Sequence, residues 1–155
     1  EQLRPLYPNP SADSSRPPEL GVRATILWLY YLDTTAANRF YTKVLGADPI
    51  VDQGWAWAHQ ASPSGFIGIV DSERGLHQAT DEKGVTVSLF VDDVDAWFEY
   101  IKRAAGFELR SDEIGDESGH VRVFVGYDPE GYFLEWDTFL DVEGNEELLR
   151  QLRRE

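Results

Sequence analysis

The chain carries the same predicted order of elements twice, and this duplication limits the fold more than any other feature. Each copy is a strand, a helix that begins after an aspartate and ends at a glycine, and three further strands. In the first copy these elements are, in order, residues 24–31, 34–45, 49–52, 55–60 and 66–70. In the second copy they are residues 85–91, 94–105, 107–110, 120–127 and 132–138. A unit of this size cannot close a core alone, so the two copies are predicted to pack together.

The segments outside the two copies differ from them in composition. Residues 1–20 hold five prolines with serines between them, which is typical of an extended arm. Residues 141–155 are predicted to form a helix with Asn145 as its N-cap and Leu148, Leu149 and Leu152 on one face. We therefore predict an arm over residues 1–20, a single domain over residues 21–140 and a C-terminal helix over residues 141–155. The two modules of the domain are expected at about residues 23–72 and 85–140.

Charge and composition narrow the class of partner. The 155 residues include 28 acids and 14 bases, a formal net charge of −14, which disfavours nucleic acids and anionic membranes and favours cationic partners. Simple solubility is the alternative explanation of this charge.

Cysteine is absent, which excludes disulfides, thiolate metal sites and a cysteine nucleophile. The sequence has no apolar run of about 18 residues, the length of a membrane-spanning helix. We expect a cytoplasmic protein, with a removed N-terminal signal as the open alternative.

One acidic residue stands in an apolar strand near the end of the domain. The segment from Asp128 to Trp136 begins with a turn that contains Pro129 and Gly131, and continues as an aromatic strand that contains Glu135. A carboxylate in such a strand is unfavourable unless it has a partner. Glu135 is therefore a metal ligand, a catalytic base, a ligand contact, or an acid on a hydrated face.

Three segments, in this order, resemble the vicinal oxygen chelate superfamily, which includes glyoxalase I, extradiol dioxygenases, and fosfomycin- and bleomycin-resistance proteins. The segments are Asp33 with residues 39–46, residues 90–95, and residues 128–135. The resemblance covers roughly residues 23–140. It implies an α+β fold in which two βαβββ modules pair into a cup-shaped half-barrel around a ligand.

The resemblance also implies where metal ligands would stand. Metal-dependent members commonly place a histidine on the first strand of each module and a glutamate or glutamine on a last strand. The corresponding positions here are Ile26, Thr86, Gly68 and Glu135. Because only Glu135 is a strong ligand, we predict no metal and no cofactor. The open alternative is a nonstandard metal that also uses one of the histidines, which are His59, His77 and His120.

Strand alternation predicts which side chains share a face and could line the cup, although it does not fix which face Trp55, Trp57 and His59 occupy. The predicted ligand-binding residues are Ile26, Trp28, Tyr30, Trp55, Trp57, Thr86, Ser88, Phe90, Phe133 and Glu135. Asp137 shares the face of Glu135, and Gly68 is expected to leave room opposite it. The alternatives are that the aromatic residues belong to the core and that Glu135 pairs with Arg122 or lies alone in a hydrated groove.

Two functions from different classes fit these residues. The first is metal-independent binding of a small aromatic or cationic molecule, as in bleomycin-resistance-like proteins. The alternative is an enzyme of the lyase, isomerase or dioxygenase-like kind that uses Glu135 as a base or as a nonstandard metal ligand. Family members commonly dimerise, so we expect a homodimer, with the N-terminal arm and the C-terminal helix as candidate contacts.

Overall fold

The computed structural model describes residues 10–117 and 119–153 and shows an α+β fold with two mixed β-sheets. The first sheet has the strand order β1-β4-β3-β2. Its strands are β1 (Thr25–Tyr31), β2 (Pro49–Asp52), β3 (Ala56–Gln60) and β4 (Gly65–Asp71). In this sheet β1 and β4 run parallel, and the other neighbours are antiparallel.

The second sheet repeats this arrangement with the order β5-β9-β8-β6, and β7 also pairs with β8. Its strands are β5 (Thr86–Phe90), β6 (Glu108–Leu109), β7 (Gly115–Glu117), β8 (Val121–Tyr127) and β9 (Phe133–Phe139). The parallel pair is β5 with β9. Among the described residues the two sheets share no ladder, so they do not close into a barrel. The predicted fold of paired βαβββ modules is confirmed.

Both module helices begin with the same side-chain cap. Asp33 accepts a hydrogen bond from the backbone N–H of Ala36 at 2.9 Å, and Asp93 accepts one from Ala96 at 2.9 Å. The helices that follow are α1 (Thr34–Arg39), which continues as a π-helical turn (Phe40–Val44), and α2 (Val94–Ile101). No helix in the described part of the chain is both long and apolar enough to cross a bilayer.

Several predicted boundaries differ from the structure. The acidic segment 111–119, which lies between two predicted strands and was assigned to neither, contains β7, and the C-terminal helix α3 covers only Glu146–Leu152. Asn145 does not cap α3 with its side chain. Its amide instead donates to the carbonyls of His120 and Leu140, because the Asn145 side chain is itself buried and its N–H groups need acceptors. Residues 1–9 of the predicted arm and residues 154–155 lie outside the described residues, and residues 10–24 contain only turns and bends.

One core joins the two modules on the helix-facing side of both sheets. It combines Leu29 and Ile69 of the first sheet with Leu134 and Trp136 of the second. The Trp136 ring stacks on Phe124 with a centroid distance of 5.1 Å. Burying each such side chain stabilises the fold by about 1.5–3 kcal/mol.

The turn between β8 and β9 fastens the second module to the first. Asp128 is buried and accepts hydrogen bonds from the hydroxyls of Tyr31 at 2.5 Å and Tyr41 at 2.9 Å. Its other carboxylate oxygen accepts the backbone N–H groups of Glu130 and Tyr132. Burial, followed by the neighbouring negative charge, raises the pKa of both tyrosines. The turn that the sequence marks as distinctive therefore makes a buried polar contact between modules.

Two further side chains of the same turn bind the end of β1. The Glu130 carboxylate accepts the N–H groups of Leu32 at 2.6 Å and Asp33 at 3.0 Å. The Tyr132 hydroxyl accepts from the N–H of Tyr30 and donates to its carbonyl, both at 2.9 Å. These bonds satisfy backbone groups at an edge strand and fix how the two sheets are oriented.

Candidate functional site

The candidate site lies on the face of the second sheet that points away from α2, which we call the cup face. Arg122 and Phe124 of β8 point toward α2, where Arg122 pairs with Asp95 at 2.6 Å and Phe124 packs on Phe98. The alternate residues of β8 and the residues opposite them therefore form the cup face. By the strand register, this face includes Thr86, Ser88, Phe90, Val123, Val125, Tyr127, Phe133, Glu135, Asp137 and Phe139. The suggested pairing of Glu135 with Arg122 is wrong, since the two side chains lie on opposite faces.

Two carboxylates and a hydroxyl form an acidic strip on this face, defined as Ser88, Glu135 and Asp137. Asp137 is only 1% exposed, and the Ser88 hydroxyl donates to its Oδ2 atom. Its Oδ1 atom has no hydrogen-bond partner within the described residues. Glu135 is half-buried and lies two residues away on the same strand face.

The environment of Asp137 favours its protonated form. Burial raises the pKa of Asp137 to about 6, and the negative charge of Glu135 and a hydrogen bond to Glu135 act in the same direction. The hydrogen bond from Ser88 opposes this shift. The hydrogen bond between Asp137 and Glu135 requires a proton on one of the two carboxyls, so Oδ1 of Asp137 has no partner when both are ionised. Once protonated, Asp137 gains a proton that it can donate to Glu135.

Aromatic rings flank the acidic strip at both ends. Phe90 and Phe139 stack at 5.8 Å beside Asp137, and Tyr127 packs against Phe133 at 5.5 Å beside Glu135. The guanidinium of Arg110 lies 5.6 Å from the Phe133 ring centroid, which places a cation at that end. The face therefore offers flat apolar surfaces around a negative centre.

The structure places the predicted residues of the first strand on the matching face of the first sheet. Ile26 and Trp28 are 46% and 40% exposed there, and Tyr30 contacts His77 edge-on at 5.0 Å. The indole of Trp28 occupies the position that a Cβ on Gly68 would take. The expectation that Gly68 leaves room opposite Glu135 is therefore wrong, because Trp28 fills that space.

The structure does not bring Trp57 to the cup. Trp57 pairs in register with Ile69 and packs against the core on the helix-facing side. His59, on the same side, bonds to the Ala47 carbonyl at 2.9 Å and to Asn38 Oδ1 at 2.7 Å, and burial lowers its pKa. We therefore leave Trp57 out of the site.

Trp55, just before β3, has the Arg74 guanidinium 5.6 Å from its ring centroid, and no described contact joins it to the acidic strip. The strip itself includes Asp137, which the sequence put on the right face but not among the site residues. The sequence signal that could have indicated Asp137 as a site residue was the presence of two acids, Glu135 and Asp137, at alternate positions of one apolar strand.

The metal site that the fold family implies does not fit these residues. Ile26 and Gly68 supply no donor atom, and the Trp28 ring covers Gly68. Thr86 is a weak neutral donor, so the other positions that the family implies give Glu135 no strong co-ligand. Across residues 10–117 and 119–153, no three histidine, aspartate or glutamate side chains group as a metal site.

Comparison with known families and structures assigns the chain to a superfamily. The model of the Glyoxalase/Bleomycin resistance protein/Dioxygenase superfamily matches residues 24–136, and the chain belongs to this superfamily. Among curated proteins, none matches.

Three solved structures illustrate the likeness in fold. A glyoxalase/bleomycin resistance protein/dioxygenase from Nocardioides aligns with a TM-score of 0.65 and 23% identity, over 84% of this chain and 88% of that one. TioX from Micromonospora sp. ML1 aligns with a TM-score of 0.62 and 19% identity, over 76% of this chain and 98% of that one. Lactoylglutathione lyase from Agrobacterium tumefaciens aligns with a TM-score of 0.59 and 18% identity, over 73% of this chain and 90% of that one. Identities this low show the fold alone.

Proposed function

We propose that this protein binds a small aromatic cation on the cup face, without a metal ion, as a glyoxalase/bleomycin-resistance-like binding protein. The observation that carries the proposal is the buried, incompletely bonded carboxyl of Asp137 beside Glu135, between two pairs of aromatic rings.

A cation would relieve the unfavourable electrostatics of the acidic strip. An ionised Asp137 has lost its hydration and lies next to a second negative charge. A bound cation supplies the missing opposite charge, and the nearby rings attract it further through their negatively polarised faces. The formal net charge of −14 raises the local concentration of cations around the whole protein.

The neighbouring cation Arg110 orients the ligand. Because Arg110 already lies over Phe133, a second positive charge is disfavoured at that end of the strip. The cationic group is therefore expected near Asp137 and Phe90, with the uncharged aromatic part extending toward Glu135 and Phe133.

Calorimetric titration with benzyltrimethylammonium and neutral benzyl alcohol tests this proposal. We expect saturable binding of the cation, weakened about tenfold in Asp137→Asn, equivalent to about 1.4 kcal/mol. Glu99→Gln removes the same charge from the exposed surface of α2 and is the matched control. An equal loss in Glu99→Gln, or no saturable binding across a broad panel of aromatic cations, would contradict the proposal.

We also propose a second candidate, a lyase- or isomerase-like enzyme that moves protons with the carboxyl pair. The raised pKa of Asp137, about 6, favours this candidate, because it allows one carboxyl to donate while Glu135 accepts. Deuterium uptake from D₂O into 1-phenyl-2-propanone, followed by NMR, is a direct probe. We expect uptake that Glu135→Gln abolishes, whereas uptake equal to the protein-free rate argues against catalysis on this substrate class.

A further inference from the structure

We propose that the cleft between the two sheets is a second binding site, for an uncharged apolar molecule with one hydrogen-bond acceptor. Strands β1 and β5 are edge strands of separate sheets, and no ladder joins them in the described part of the chain. The space along their edges has a volume of about 450 Å³. This volume is in the usual range for small-molecule sites.

The cleft is lined by apolar side chains from both modules. The sheets contribute Leu27 and Leu89, the helical segments contribute Leu45 and Trp97, and Leu152 of α3 also lines it. These sheet residues belong to the helix-facing side, whereas the acidic strip lies on the opposite face. The two sites therefore differ in most of their residues, although Ser88 and Phe90 border both.

A buried donor without a partner lies in the wall of this cleft. Trp136 lines the cleft and is 0% exposed, and its indole Nε1 has no hydrogen-bond partner in residues 10–117 and 119–153. The ring is held by stacking on Phe124 at 5.1 Å and by an edge-on contact with Phe107 at 5.2 Å. This packing prevents the indole from turning toward another acceptor. A ligand carbonyl would satisfy the N–H.

The lining also decides the charge of the ligand. Among the described residues that line the cleft, none is ionisable. Besides the indole N–H groups of Trp97 and Trp136, the polar side chains are the hydroxyls of Thr25, Ser62 and Ser88. Since a charge in such a place would lose its hydration without a partner, a neutral ligand is favoured. A ketone or ester with an apolar chain matches the cleft in polarity and fits within its volume of about 450 Å³.

The test uses 2-heptanone and the ¹⁵N–¹H signals of the indole groups. The chain has five tryptophans, so the Trp136 signal is identified by its loss in Trp136→Phe or, if that variant does not fold, by backbone assignment. We expect a saturable shift of this signal. The variant Ala61→Trp fills the cleft from an exposed position and should weaken binding at least about tenfold. Ala105→Trp, an exposed position outside the lining, should change affinity less than about twofold.

The result that would overturn the proposal is a Trp136 signal that stays unmoved up to the solubility limit of 2-heptanone, or that shifts equally in Ala61→Trp. The proposed cation site is tested separately. Asp137→Asn should leave 2-heptanone binding unchanged, and Ala61→Trp should leave benzyltrimethylammonium binding unchanged.

Discussion

The Asp137 carboxyl couples the stability of the protein to pH. Because its pKa is raised to about 6 in the folded state, the folded protein holds this proton more tightly than the unfolded chain does. The ionised group therefore destabilises the fold fully above pH 6 and not at all below about pH 4. Carboxyls with pKa values shifted in this way cluster at functional sites, which makes Asp137 a functional candidate.

Replacing Asp137 with Asn should stabilise the protein near neutral pH. A raised pKa of this size corresponds to about 1–3 kcal/mol, and Asn can still accept the Ser88 hydrogen bond. Urea unfolding at pH 7 should show this gain, and at pH 4 the difference should vanish. Asp92→Asn, at an exposed position, controls for the general effect of removing one negative charge. A variant less stable than the wild type at pH 7 would refute the assignment.

The Tyr31 hydroxyl should matter more to stability than an exposed tyrosine hydroxyl. Tyr31→Phe removes a buried bond to the Asp128 carboxylate and should cost about 1.5–3 kcal/mol, since the acceptor is charged. Tyr100→Phe, whose exposed hydroxyl donates to the Val44 carbonyl, should cost about 1 kcal/mol or less. Denaturant unfolding of both variants checks the difference. Equal losses would mean that the buried cluster with Asp128 adds no special stability.

At the scale of elements, the turn between β8 and β9 depends on the backbone of Gly131. Its φ of 89° lies in the region that other residues resist, although no neighbouring atom would meet an added Cβ. Gly131→Ala should therefore destabilise the protein by about 1–2 kcal/mol through backbone strain alone. Gly84→Ala is the matched control and should have little effect. An added Cβ at Gly84 also has free space among the described residues, but the φ of Gly84 is not in the left-handed region. Thermal unfolding of the two variants compares them, and equal midpoints would contradict the argument.

The elements of the fold were predictable where a local signal existed. The two helix starts followed from Asp33 and Asp93, and the pairing of two βαβββ modules followed from the duplication and the family resemblance. Strand β7 was missed because its segment Gly115–Glu117 has an acidic, turn-like composition, and its pairing with β8 is a tertiary contact. Trp57 was assigned to the cup because alternation fixes which side chains share a face, but not which face is buried.

Across the whole molecule, much of the candidate site could not be predicted from the sequence, because it depends on contacts between distant segments. The sequence predicted Glu135 on the cup face with Ser88, but the raised pKa of Asp137 arises from burial and from the pairing of β5 with β9. The contact of Asp128 with Tyr31 and Tyr41 spans most of the chain and has no local signature.

The homodimer stays a prediction with a direct test. Light scattering after size exclusion should give twice the 17.6 kDa of one chain. Leu148, exposed on α3, is a candidate contact, so Leu148→Glu should shift the mass toward the monomer. Leu76→Glu, at a more exposed position, serves as the control and should not. A wild-type mass of one chain at every concentration would rule the dimer out.

A cation that binds against the acidic strip should displace a proton from Asp137, so proton release on binding is a direct test of the proposed site. Benzyltrimethylammonium has no proton of its own, so any proton exchanged on binding comes from the protein. At pH 6, where Asp137 is about half protonated, cation binding should release up to about half a proton per site. Calorimetric titration in two buffers of different ionisation enthalpy measures this number. We predict release in the wild type and in Glu99→Gln and none in Asp137→Asn, whereas binding without proton release, or equal release from Asp137→Asn, would contradict the claim.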